Sequence, residues 1–142
     1  MKINREELLN QLISAKDNNF VKIITGIRRC GKSYLLFNLF KQHLLKEGVK
    51  KDNIIEIDLE KDENESLTDP IELGKYIRKK TPKNRGRFYV LIDKIQKCRK
   101  VLPLGVDLSR VHPDDRESAY VTFYSVLNAL RSSPHIDAYV TG

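Results

Sequence analysis

One eight-residue segment, residues 26–33, constrains the fold of this chain more than any other feature. It reads Gly-Ile-Arg-Arg-Cys-Gly-Lys-Ser and matches the G-x-x-x-x-G-K-S phosphate-binding (Walker A) pattern. The apolar run 20–25 before it is typical of a buried β-strand, and residues 34–47 after it have helical periodicity. Because a strand–loop–helix order lets loop N–H groups converge on phosphates at a helix N-terminus, the segment predicts nucleotide binding.

The same motif assigns a chemical role to the side chains at its end. We expect Lys32 to reach the outer phosphates of a nucleotide and the Ser33 hydroxyl to bind Mg²⁺. The predicted phosphate-binding residues are Gly26, Ile27, Arg28, Arg29, Cys30, Gly31, Lys32 and Ser33. The alternative is a glycine-rich turn that matches the pattern by chance. It is disfavoured because both glycines and the Lys-Ser pair stand at the positions of the pattern, with a predicted strand before them and a predicted helix after them.

The bulk composition is that of one globular domain. The chain has 142 residues, of which 40% are hydrophobic and 32% charged, which is enough for a hydrophobic core. No apolar stretch is long enough to cross a bilayer, and the N-terminus has no secretory signal pattern. Two cysteines, one of them in the loop, do not make a disulfide framework. These features predict a cytoplasmic protein with no membrane partner.

The net charge of +7 is unevenly distributed along the chain. Residues 52–72 hold nine carboxylates and one lysine, whereas residues 75–100 hold eleven Lys and Arg and one acid. A basic segment of this kind can bind nucleic acid. The alternative is that the acidic and basic surfaces face each other or solvent. It is favoured because no aromatic stacking platform or groove-reading motif accompanies the charge.

Apolar runs that alternate with helical patterns predict the fold class. Besides the strand before the loop, the predicted strands are 54–59, 87–93 and 136–142. The predicted helices are 4–16, which starts with a capping box, 34–47, one that begins at Pro70, and 117–132. In the last of these, Tyr124 is expected to face the core. Such alternation is typical of an α/β fold with a parallel sheet covered on both faces.

Ligands in such folds bind at the carboxyl ends of the parallel strands. The loop, Asp93 and Thr141 each follow or end a predicted strand, so we expect them in one site. The run Tyr89-Val90-Leu91-Ile92-Asp93 has the form of a Walker B strand, whose terminal aspartate holds Mg²⁺. Ser33 and Asp93 are therefore the predicted metal ligands, and Thr141 is expected close to the nucleotide.

Three segments of the chain together resemble a prokaryotic family of AAA-type ATPases, whose members are known as ATP-binding proteins. They are residues 21–33 around the loop, 91–96 (Leu-Ile-Asp-Lys-Ile-Gln) and 139–142 (Tyr-Val-Thr-Gly). The resemblance extends over nearly the whole chain. It implies a P-loop NTPase three-layer sandwich with the strand order 5-1-4-3-2, and ATP and Mg²⁺ as cofactors. It also implies that residues 1–142 are an incomplete AAA-type core, since family chains continue through a sensor segment, a helical lid and a C-terminal domain.

One position departs from the family pattern. The residue after the Walker B aspartate is glutamate in the family and Lys94 here. That glutamate polarises the attacking water, and a lysine ammonium has no lone pair with which to do so. We therefore expect Lys94 to be non-functional at this catalytic position, slowing hydrolysis by roughly 10²–10⁴-fold, and to add a cation near the γ-phosphate. The alternative is that Lys94 turns to solvent and that Asp58 or Glu60 substitutes.

A second departure concerns the end of the sequence. The family pattern continues past the Thr-Gly pair to a polar sensor residue and a fifth strand, which this sequence does not include. The first strand would then present an open apolar edge, which predicts self-association. Arg28 and Arg29 lie inside the loop itself, so no arginine finger is assigned.

Together these features predict an ATP/Mg²⁺-binding AAA-type ATPase module, the N-terminal part of a larger nucleotide-driven protein, with weak or absent hydrolysis. A rival function is nucleic-acid binding through the basic segment 75–100, which would weaken with salt and ignore ATP. A third, phosphate transfer to a small molecule, shares the loop but has less support. The Asp-Lys-Ile-Gln and Thr-Gly segments are more similar to the ATPase family.

Overall fold

The computed structural model describes residues 5–18, 20–25 and 31–142. Its helices are α1 (Arg5–Ser14), α2, α3 (Pro70–Lys80) and α4 (Phe123–Arg131), and its strands are β1 (Lys22–Ile24), β2 (Ile54–Asp58), β3 (Phe88–Asp93) and β4 (Ile136–Thr141). Helix α2 consists of three consecutive segments, Lys32–Tyr34, Leu35–Phe40 and Lys41–Lys46, of which the middle one has π-helical hydrogen bonding. Strands and helices alternate along the chain, as an α/β fold requires.

The four strands form one parallel sheet in the order β1-β4-β3-β2. Among the described residues this is the predicted order 5-1-4-3-2 without strand 5, so the predicted P-loop NTPase-like α/β fold is confirmed. Ile24 lies beside Thr141, and Asp58 lies beside Asp93, so the carboxyl ends of the strands are aligned along one edge. The central strands β3 and β4 are buried along their whole length, because each has a neighbour on both sides.

Helices cover both faces of the sheet, which gives the three-layer arrangement. Helices α1 and α2 pack on the face that carries Tyr89, Leu91 and Tyr139. Helices α3 and α4 pack on the opposite face, against Val90 and Val140. Successive residues of β3 and β4 enter opposite layers because side chains alternate along a strand. A continuous apolar run is therefore what a central strand of this sandwich needs.

Helix α3 begins where the sequence predicts. The Asp69 carboxylate accepts the N–H of Ile71 at 2.9 Å and so caps the helix. Pro70 occupies the first helical position, where the N–H that proline lacks would have no helical partner. The predicted start at Pro70 is confirmed.

The last helix is shorter than predicted. The sequence predicts a helix over 117–132, but α4 begins only after Thr122, whose hydroxyl accepts the N–H of Tyr124. Val121 instead pairs with Val101 in an isolated antiparallel bridge. This contact between distant parts of the chain lies directly before the Thr122 cap of α4. Tyr124 is 64% exposed, so its expected inward orientation is wrong.

The other predicted boundaries differ by one or two residues. Helix α1 ends at Ser14, β3 begins at Phe88 and β4 ends at Thr141. The predicted helix cap at Asn4 lies outside the described residues.

The described surface bears on the predicted partners. Among the described strands, β1 pairs only with β4, and Ile23 on it is 54% exposed. Self-association through this edge stays a prediction. In the basic segment, Lys75 pairs with Glu72 and Lys94 with Glu60 of the acidic segment, which are contacts of the kind expected if the two charged surfaces face each other. Nucleic-acid binding stays a prediction as well.

A membrane-spanning segment requires both length and hydrophobicity. None of the helices in the described part of the chain has the two together.

Candidate functional site

The candidate site lies at the carboxyl ends of β1, β3 and β4, where α2 begins. Gly31 has a φ of +77°, a left-handed conformation that favours glycine. Lys32 and Ser33 follow it directly as the first residues of α2, so the end of the loop leads into the helix as the motif requires. The predicted phosphate-binding residues that lie outside the described part of the chain are Gly26, Ile27, Arg28, Arg29 and Cys30.

Hydrogen bonds join Ser33, Asp93 and Thr141, which belong to three different elements. The Ser33 hydroxyl donates to Asp93 Oδ2 at 2.5 Å, and the Thr141 hydroxyl donates to Asp93 Oδ1 at 2.5 Å. Asp93 is only 1% exposed, so its carboxylate depends on such donors. The two donors lie 60 and 48 positions from Asp93 in the sequence. The parallel sheet brings the three residues together at the edge where strand-end reasoning expects them.

Lys94 follows β3 and is held at both its backbone and its side chain. It has a φ of +62°, a conformation that costs energy for a residue other than glycine. Its N–H donates to Thr141 Oγ1 at 2.8 Å. Its ammonium lies 3.1 Å from Ser33 Oγ, 3.1 Å from Asp93 Oδ2 and 3.5 Å from Glu60 Oε2. The alternative in which Lys94 turns to solvent is therefore wrong.

The charges of Asp93 and Lys94 support each other. Burial by itself would raise the pKa of Asp93, but three hydrogen bonds and the Lys94 charge outweigh it and hold that pKa below its ordinary value. Burial would lower the pKa of Lys94, but the hydrogen bond and charge of Asp93, together with the Glu60 charge, raise it. The site therefore contains a carboxylate and an ammonium, both charged at neutral pH.

An open cleft of about 590 Å³ runs along this edge of the sheet. The charged side chains that line it are Lys32, Glu60, Asp93, Lys94 and Lys97. Three lysines against two carboxylates give these lining residues a positive balance. A positive cleft at the N-terminus of a helix favours a polyanion such as a phosphate chain.

Sequence reasoning considered Glu60 only as a substitute for the family glutamate and missed its contact with Lys94. Glu60 follows the carboxyl end of β2 and lines the cleft. The pairing of β2 with β3, had it been assumed, would have placed Glu60 near this edge. Asp58, the other substitute considered, accepts the N–H of Glu60 at 3.0 Å and lines a separate cleft between α2 and β2. Glu60 therefore belongs to the candidate site, and Asp58 does not line it.

The predicted metal ligands, Ser33 and Asp93, are close together, but the Lys94 ammonium lies beside both of them. Ser33 Oγ and Asp93 Oδ2 are oxygen donors of the kind that Mg²⁺ prefers. The Lys94 ammonium lies 3.1 Å from each of these two oxygens. A divalent ion bound to both oxygens would therefore have to stand next to the positive charge of Lys94. Within the described residues, no group of three or more His, Cys, Asp or Glu side chains is placed to hold a metal ion. As they are arranged, these side chains do not fit a bound Mg²⁺.

The Thr141 hydroxyl holds both the Asp93 carboxylate and the Lys94 N–H, and its contribution can be tested. Valine has nearly the same shape but no hydroxyl, so Thr141→Val removes one donor to the buried Asp93 carboxylate and leaves the Lys94 N–H without its acceptor. We expect the free energy of unfolding to fall by about 1–3 kcal/mol, measured by urea denaturation. Thr141→Ser keeps the hydroxyl and should lose less. A larger loss in the serine variant than in the valine variant would show that the methyl group matters more than the hydroxyl.

Comparison with known proteins places the chain in a family. A family model described as "AAA domain" matches residues 18–141. An uncharacterized protein of Haemophilus influenzae (strain ATCC 51907 / DSM 11121 / KW20 / Rd) is 38% identical over 94 residues, a match that covers 66% of this chain and 23% of that protein. The chain thus spans less than a quarter of the length of this relative. No solved structure matches this chain.

The sheet order, the Lys-Ser pair at the start of α2 and the family match lead to the same assignment. The match covers most of the chain and includes both the loop and the last strand. The chain belongs to the AAA domain family and is an ATPase-like module.

Proposed function

We propose that this chain is an AAA-type ATP-binding module and that the cleft lined by Ser33 and Asp93 holds the triphosphate. The observation that carries the proposal is the 2.5 Å contact between the Ser33 hydroxyl and the buried Asp93 carboxylate. P-loop NTPases place this pair, a hydroxyl after the loop lysine and a strand-terminal aspartate, beside the β- and γ-phosphates. Thr141 supports Asp93 from the neighbouring strand and would lie close to the nucleotide.

In this proposal, Lys32 and the loop backbone bind the phosphates. The Lys32 ammonium lines the cleft and donates to the main-chain oxygen of Gly142 at 3.0 Å. With a nucleotide present, it would donate to a phosphate oxygen, because a charged acceptor makes a stronger hydrogen bond than a neutral one. The loop residues expected to surround the phosphates are Gly26, Ile27, Arg28, Arg29, Cys30 and Gly31.

We propose that hydrolysis by this chain is slow. The residue after Asp93 bears an ammonium, which has no lone pair to accept a proton from an attacking water. Glu60 is paired with that ammonium at 3.5 Å, and Asp58 lines a separate cleft. In this proposal, neither carboxylate acts as the general base. The module would therefore hold ATP longer than it turns it over.

The module is proposed to serve a longer protein as its N-terminal, nucleotide-dependent part. The relative from Haemophilus influenzae supports only a longer protein, because the matched segment is 23% of its length. Binding and release of ATP would then shift the conformation of the attached parts by preferring one state over another.

The proposal is tested by calorimetric titration of the chain with ATP, beside the variant Lys32→Ala. Loss of one hydrogen bond to a charged group costs about 1.5–3 kcal/mol, which corresponds to a Kd roughly 10- to 150-fold higher. Lys46→Ala is the matched control. It removes the same charge from an exposed position at the far end of α2 and should leave the Kd unchanged. Equal affinities for the Lys32 variant and the unmodified chain would refute the proposed site.

A further inference from the structure

Lys94 stands at the point where a phosphate-binding site of this design needs a cation. Its ammonium lies 3.1 Å from Ser33 Oγ and 3.1 Å from Asp93 Oδ2. These are the two protein oxygens that P-loop NTPases use to hold Mg²⁺ beside the phosphates. We propose that the Lys94 ammonium replaces the divalent cation in this site, so that the chain binds a nucleoside triphosphate without Mg²⁺. The inference rests on the proposed nucleotide binding and adds to it the identity of the cation.

The geometry keeps the ammonium at that point. The Lys94 backbone is anchored by the 2.8 Å hydrogen bond from its N–H to Thr141 Oγ1. The Glu60 carboxylate contacts the ammonium from the side of the cleft at 3.5 Å. The side chain of Lys94 is 29% exposed, so it is a partly enclosed member of the site. A lysine ammonium has three N–H donors and no acceptor, and Ser33 and Asp93 take two of them. The third faces Glu60 or an incoming phosphate oxygen.

The charges of the cleft suit a ligand that brings no metal. Mg²⁺ normally offsets the negative charge of the β- and γ-phosphates. Here Lys32, Lys94 and Lys97 all line the cleft, and their ammonium groups can offset the phosphate charge directly. A divalent ion would have to displace Lys94 from Ser33 and Asp93, losing two charge-assisted hydrogen bonds to gain its own contacts. Side-chain cations therefore replace the metal.

The test is calorimetric titration with ATP in excess EDTA and again with Mg²⁺, for the unmodified chain and for Lys94→Glu. The unmodified chain should give Kd values within about threefold of each other in the two buffers, since its cation is part of the protein. Lys94→Glu places a third carboxylate beside Asp93 and Glu60. Its Kd should be at least about tenfold higher in EDTA than with Mg²⁺.

Two further variants make the outcome decisive. Lys94→Met removes the ammonium without adding a carboxylate, and it should also bind ATP more weakly in EDTA than with Mg²⁺. This variant provides the test if Lys94→Glu does not fold. Lys46→Glu makes the same change of charge at an exposed position outside the cleft and should behave as the unmodified chain does.

The possible results separate this inference from the proposed function. If the unmodified chain loses ATP binding in EDTA and keeps it with Mg²⁺, it behaves as Lys94→Glu is expected to behave. That result would overturn the inference and leave the proposed ATP binding intact. No binding by the unmodified chain in either buffer would overturn the proposed function itself. A titration with Mn²⁺ alone, followed by water-proton relaxation, gives a second readout. Lys94→Glu should bind Mn²⁺ at least about tenfold more tightly than the unmodified chain, and equal affinities would contradict the inference.

Discussion

Replacing Lys94 by glutamate is expected to raise the rate of ATP hydrolysis by roughly 10²–10⁴-fold when Mg²⁺ is present, the usual contribution of a general base. The glutamate would follow directly on Asp93, at the edge of the cleft where the ammonium now contacts Ser33. Its carboxylate can accept the proton that water loses as its oxygen attacks the γ-phosphorus and ADP leaves. A phosphate-release assay at saturating ATP measures the change in kcat.

The matched control for this prediction is Lys94→Gln. Glutamine removes the ammonium and has nearly the shape of glutamate, but its amide is not a base at neutral pH. Its turnover should stay within about tenfold of the unmodified chain. If glutamine and glutamate accelerate hydrolysis equally, relief from the lysine rather than general-base catalysis explains the gain. If neither does, Lys94 does not limit turnover.

Replacing Asp137 by alanine is expected to lower the free energy of unfolding by about 3–5 kcal/mol, the usual cost of leaving a buried charge without its partner. The Asp137 side chain is 0% exposed and forms an ion pair with Lys22, whose side chain is 8% exposed. The same carboxylate accepts the Tyr139 hydroxyl at 2.6 Å and the Asp17 N–H at 2.9 Å. The alanine variant therefore leaves three donors without this acceptor. Urea denaturation measures the loss.

Two controls separate the buried charge from a general effect of substitution. The double variant Lys22→Met, Asp137→Leu removes both charges and should lose less than the single variant, because replacing a whole buried pair by apolar side chains is often close to neutral. Glu117→Ala breaks an exposed pair with Lys100, in which the carboxylate is 82% exposed. It should cost at most about 1 kcal/mol. A loss in the double variant as large as in the single variant would show that shape, not charge, decides stability here.

The strand pattern and the loop motif predicted the sheet because both depend on short-range features of the chain. Apolar runs at Ile54–Asp58, Phe88–Asp93 and Ile136–Thr141 identify buried strands, and each of them is predicted to within about one or two residues, the usual uncertainty of an element boundary. Strand-end reasoning also placed Ser33, Asp93 and Thr141 at one edge. Their part in binding a nucleotide stays a prediction.

The start of α4 could not be predicted in this way. Residues 117–132 have helical periodicity, but Val121 is held in a bridge to Val101, twenty positions earlier. A contact of that range competes with helix formation and is invisible to a local pattern. The same holds for Glu60, whose place beside Lys94 depends on how the turn after β2 folds against the end of β3.

By itself, the sequence determined the strand before the loop motif and the helix after it, the parallel α/β class and the presence of a lysine directly after the strand-terminal Asp93. These follow from residue type and spacing over a few positions, where neighbours along the chain are also neighbours in space. Tertiary structure alone decided that Asp137 neutralises Lys22, 115 positions away. It also decided that the Lys94 ammonium faces Ser33 and Asp93, because packing of the whole sheet selects one among many staggered side-chain conformations.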